Sequence, residues 1–146
     1  MKLFLALAAA FTVGVLVTAA AGVPMGVHYV PHEKVAATMV KGGQIISDDG
    51  LIVLANRAVA RGSEMHESTN HVFIIVDGEG TFVTGGTLTN AKQIAAGQTR
   101  GDGIEGGDIH HLKKGDVITI PAKTPHWWKA TSATGSVGYY AVNIEQ

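Results

Sequence analysis

The sequence predicts an all-β domain, a sandwich or barrel of short strands, and three observations carry that expectation. Apolar and polar residues alternate in short runs, those runs are rich in β-branched and aromatic residues, and glycine, aspartate and asparagine punctuate them. Period-two segments bounded by turn residues are the pattern of half-buried strands. No long helical stripe follows the first two dozen residues.

From the N-terminus, the first element lies outside the domain. Lys2, an apolar run over residues 3–17 and the small residues Ala19-Ala20-Ala21 have the order of a secretory signal peptide. The run is short against the roughly 20 residues needed to span a bilayer, and no basic stop-transfer cluster follows. Residues 1–21 are therefore expected to be a signal peptide cleaved near Ala21. The protein is then secreted or periplasmic, with no membrane association afterwards. Cysteine is absent throughout, so an exported domain stands without disulfides, on its core and any bound metal.

Residues 22–34, with Pro24, His28, Pro31 and His32, read as an extended arm, and residues 35–146 as a single domain. The segment GLIVLANRAVARG opens the strands. In HVFIIVDGEGTFVTGG, the turn Asp77-Gly78-Glu79-Gly80 separates two strand-like runs in the manner of a hairpin. Val72, Ile74 and Val76 face one side of the first run and Phe73 and Ile75 the other, so this strand is expected to be covered on both faces. Its apolar outer face and the arm together suggest a homodimer. Residues 90–108, nineteen residues with five glycines, are the least regular stretch and read as a long functional or mobile loop. The runs HLKKGDVITIPAKTPHWWKAT and GSVGYYAVNI complete the strand set. Eleven Lys and Arg against twelve Asp and Glu, with no basic block, leave no electrostatic footprint for nucleic acid or an anionic membrane.

Seven histidines occur, at 28, 32, 66, 71, 110, 111 and 126. Glu64 and His66 stand two apart and so share a strand face; His71 follows a tight turn, and His126 lies just past a proline-rich one. Three imidazoles with one carboxylate suit borderline divalent ions such as iron, copper, nickel, manganese or zinc.

These segments resemble the two-motif signature of the cupin superfamily. In its first motif, glycine, five residues, His-x-His, three or four residues, glutamate, six residues and glycine follow one another. Here His71 and Gly78 keep the closing interval, His66 takes the second histidine position, and Glu64 stands at the first while His71 stands at the glutamate. The second motif matches at Gly115, Asp116, Pro121 and His126, with Lys123 in place of a glycine and Ala130 in place of an asparagine. The resemblance spans residues 51–130 and implies a double-stranded β-helix, the cupin or jelly-roll barrel. It also implies one divalent transition metal held by His66, His71 and His126. Glu64 is a fourth ligand, a neighbouring base that relays a proton, or an edge residue. His111 is a reserve ligand, whereas His28, His32 and His110 read as surface or hydrogen-bonded residues. Gly78, Gly115 and Pro121 read as turn residues.

Alternation turns Trp127 away from the interior and puts Trp128 on the side of His126. Trp128 is either core or a platform on which a substrate stacks. Export, a histidine-rich site and an adjacent aromatic pair resemble the small secreted copper cupins that cleave cellulose oxidatively. The resemblance therefore implies a metal-dependent oxidoreductase, in its sharpest version a copper enzyme acting on a polysaccharide. The alternatives are a non-catalytic periplasmic protein that binds a small anionic or sugar ligand, and an isomerase or hydrolase using zinc or manganese.

Overall fold

A computed structural model describes residues 26–131 and 135–146. The expected signal peptide and the first residues of the arm lie outside the described residues.

The first regular element is a helix, α1 (His32–Lys41), so the arm is not extended through residue 34. Its sequence HEKVAATMVK is made largely of good helix formers, with Glu33 in the first turn and Lys41 in the last, each favourable to the helix dipole. No residue of α1 is fully buried, which is why so weak a stripe is hard to read from sequence. Gly42, at φ 73°, ends it by donating its N–H to the Thr38 carbonyl at 2.8 Å.

Strands then follow in chain order: β1 (Gly43–Asp48), β2 (Leu51–Ala58), β3 (Ser63–His66), β4 (Thr69–Asp77) and β5 (Glu79–Thr84). Five short ones come next: β6 (Thr87–Thr89), β7 (Lys92–Ala95), β8 (Gln98–Gly101), β9 (Gly103–Glu105) and β10 (Asp108–Lys113). The last are β11 (Val117–Ile120), β12 (His126–Thr131) and β13 (Val137–Glu145). One sheet runs β1-β2-β13-β4-β11, the other β10-β5-β12-β3-β8-β7, and β6 pairs with β9. All pairings are antiparallel. The result is the expected all-β jelly roll, with Phe73, Ile75, Phe82, Ile120, Trp128 and Tyr139 in one core.

Two local expectations are corrected. The turn after Asp77 is a corner between sheets, because β4 lies in the first and β5 in the second. Gly78 makes it possible: its φ is 71°, and a Cβ there would lie 2.5 Å from the Ser136 carbonyl oxygen. Residues 90–108 are strands rather than a loop, with β7 and β8 extending the second sheet beyond β3. β4 buries Phe73 and Ile75 inward as expected. On its outer face Ile74 shares an apolar hollow with Tyr29, Val30 and Val35 of the N-terminal segment.

Candidate metal centre

Strand alternation on β3 aims Glu64 and His66 to one side, and the β3–β12 pairing sets His126 directly opposite Glu64. His71, near the start of β4 in the facing sheet, closes the group from the other layer. One ring nitrogen from each of His66, His71 and His126 lies within 4.8 Å of the others. Ring centroids are separated by 4.9 Å for His66 and His71, 5.1 Å for His71 and His126, and 5.6 Å for His66 and His126.

Hydrogen bonds on the far side of two rings define which nitrogen is free. His126 Nδ1 lies 3.0 Å from the Thr124 carbonyl, which can only accept, so Nδ1 carries the proton. His71 Nδ1 likewise donates to Asn143 Oδ1 at 2.8 Å. In a neutral ring the proton at Nδ1 leaves Nε2 as a lone pair, and the Nε2 atoms of His71 and His126 are both buried without a hydrogen-bond partner. An unpaired buried acceptor costs about 1–3 kcal/mol. A metal ion removes that penalty, and imidazole ligands are typically oriented through a hydrogen bond at the other nitrogen. Burial holds His71 down to about 4, against a hydrogen bond to Asn143 that works the other way, and burial also lowers His66. Both rings are neutral near pH 7, the form that binds metal.

Glu64 stands beside this group rather than in it. Its Oε1 is 3.6 Å from His126 Nε2 and 3.6 Å from Arg61 Nη2, while Oε2 is 3.7 Å from Arg100 Nη2. Two guanidinium groups and one imidazole thus face the carboxylate at ion-pair distance. Burial pushes Glu64 up, but His126, Arg61 and His66 together outweigh it and hold the carboxyl at about 2. At neutral pH the carboxyl is therefore ionised and holds a negative charge beside His126.

His111 is not part of the group. Alternation along β10 buries Leu112 and leaves His111 exposed, 3.5 Å from the Thr81 hydroxyl. His110 bonds Thr84 Oγ1 at 2.8 Å, and His28 reaches Asp48 Oδ2 at 2.7 Å. Trp128 is on the side of His126, as alternation requires, but it is 3% exposed and packs in the core against Phe82 and Tyr139. Core packing, not a stacking platform, is where the structure places it. Trp127 donates its indole N–H to the Arg61 carbonyl, and Lys129 Nζ lies 5.7 Å from its ring centroid. Lys123 adopts φ 65°, the left-handed conformation that a glycine takes most readily, and donates its N–H to the His66 carbonyl at 2.7 Å.

A cavity of about 230 Å³ opens beside His66 and His71. Its polar wall includes Arg61, Glu64, Asn143 and Glu145, and its apolar wall includes Ile52, Leu54, Phe73 and Ala141. Reading the sequence missed Arg61, Thr124, Asn143 and Glu145. For two of them a signal existed: Tyr139, Ala141, Asn143 and Glu145 share one face of β13, which turns from apolar to polar toward the C-terminus.

A family model described as Cupin matches residues 51–146. Among curated proteins none matches. A crystal structure of FeII HppE is similar with a TM-score of 0.53 and 16% identity, over 70% of this chain and 50% of that one. A structure of Fe(II)-HppE with the alternative substrate (S)-1-HPP gives 0.54 and 16%, over 70% and 48%. A structure of CoII HppE in complex with Tris buffer gives 0.51 and 15%, over 70% and 52%. This chain spans about half the length of those proteins, and at such identity the likeness is one of fold.

Proposed function

The chain belongs to the cupin family, and from that premise we propose that it is a mononuclear metal-dependent oxidoreductase whose ion is held by His66, His71 and His126 and whose small substrate enters the cavity lined by His66 and His71. One observation carries the reading: His71 and His126 have their Nδ1 protons committed to Asn143 and Thr124, and each leaves a buried, unpartnered Nε2. Three neutral protein ligands are also the count of a catalytic site, which keeps a position open, rather than of a closed structural one.

A divalent transition ion there supplies a Lewis acid and, as copper or iron, a one-electron centre. The protein's own residues do the rest. Asn143 and Thr124 fix ring orientation, Phe73 and Leu54 keep one wall dry, and Glu64 holds negative charge beside His126. Copper is favoured by the affinity order for an imidazole set, and iron is the metal of two of the similar structures. A polysaccharide substrate has less support than a small molecule. Trp128 is in the core, and a cavity of about 230 Å³ accommodates a compact ligand. Export to the periplasm or beyond belongs to this proposal and rests on the N-terminal sequence alone.

The test is consumption of O₂ or peroxide by copper- or iron-loaded protein supplied with a reductant. We expect consumption above that of the free ion, reduced to the free-ion level in His126→Ala. Equal rates for wild type and His126→Ala would replace the enzyme with a binding protein.

A further inference from the structure

The charged groups on the cavity wall are unequal. Among the described residues that line it, Arg61 is the sole lysine or arginine, set against the carboxylates of Glu64 and Glu145. Glu145 is already occupied, accepting from the Thr69 hydroxyl at 2.9 and 3.0 Å. Arg61 is loosely held: its approach to Glu64 is 3.6 Å, beyond hydrogen-bond length, and its guanidinium makes no hydrogen bond among the described residues. Nor does Glu64 depend on it alone, because Arg100 meets the other carboxylate oxygen. One oxygen, Glu64 Oε1, separates Arg61 from the metal-facing nitrogen of His126. A planar donor held only by this long ion pair therefore stands across Glu64 Oε1 from the imidazole group.

A divalent ion bound by the imidazoles would turn a wall that carries Arg61 against Glu64 and Glu145 from net negative to net positive. Resting on the metal reading above, we infer that the cavity takes a small organic monoanion, a carboxylate, whose charge is met by Arg61. A guanidinium matches a carboxylate with two parallel donors, which an ammonium does not. A more highly charged anion would find no second lysine or arginine among the described residues of this wall. Arg61 is thus a residue that selects the substrate, and its long ion pair with Glu64 keeps its side chain on the cavity wall until the anion arrives.

The experiment uses zinc-loaded protein, so that no redox chemistry intervenes, and calorimetric titration with glycolate and its uncharged counterpart glycolamide. Wild type should bind glycolate more tightly than glycolamide. Arg61→Gln should weaken glycolate by about tenfold or more and leave glycolamide and zinc content unchanged. Arg61→Lys should keep part of the discrimination, and it carries the comparison should the glutamine variant fold poorly. Equal glycolate affinity in wild type and both variants overturns this inference and leaves the metal reading standing. Failure of the wild-type protein to take up stoichiometric zinc overturns both.

Discussion

At His71 two requirements meet in one ring. It must be buried to stand beside His126, and it must stay neutral to offer Nε2. Burial achieves the second through the first, by holding the ring down to about 4 from 6.5. The consequence for stability has a definite sign. An unfolded chain takes up the proton near pH 6.5 and the folded one does so only near 4, so the metal-free protein has this stability in full above pH 6.5 and loses it on acidification toward 4. Glu64, held at about 2 from 4.5, adds a second loss between pH 4.5 and about 2. For His71 the effect is on the order of 3 kcal/mol. Thermal melting of metal-free protein should therefore fall steadily from pH 7 to pH 4, and His71→Phe should flatten that dependence. A wild-type melting temperature constant over that range would mean the ring is not held neutral by burial. The three histidines were legible through the resemblance of their motifs to the cupin signature. Arg61 and the Thr124 carbonyl were not, because their roles depend on which strand lies across from them.

Strand β12 shows how far alternation carries. It assigns His126 and Trp128 to one side correctly, but it cannot give depth. Two residues past His126, the strand has moved from the imidazole group into the core, where Phe82 and Tyr139 pack against the indole. Truncating a buried aromatic costs about 3–5 kcal/mol, so Trp128→Ala should lower the melting temperature far more than Trp127→Ala does. A stable Trp128→Ala protein with weakened substrate binding would instead return that side chain to the cavity. The corner at Gly78 escaped sequence reading for a related reason. A glycine with positive φ serves a hairpin and an inter-sheet corner alike, and only the partners of β4 and β5 distinguish them. The strands β7, β8 and β9 were hidden because their glycines and exposed polar residues have the composition of a loop.

In the whole molecule, the β class followed from alternation, and the jelly-roll order followed from the two motifs rather than from any single strand. The order β1-β2-β13-β4-β11 joins strands from both ends of the chain, and no local pattern reports it. That long-range pairing is what brings Asn143, on β13, behind His71, on β4. The fold and the site are therefore one construction: the sheet pairing that seals the core also fixes the tautomer of His71. The most direct test is metal stoichiometry. Protein stripped of metal and titrated with copper, then analysed for bound metal, should hold a single ion per chain. His66→Ala, His71→Ala and His126→Ala should each lower the content strongly while the β-sheet circular dichroism persists. Wild-type occupancy in all three variants would contradict the account.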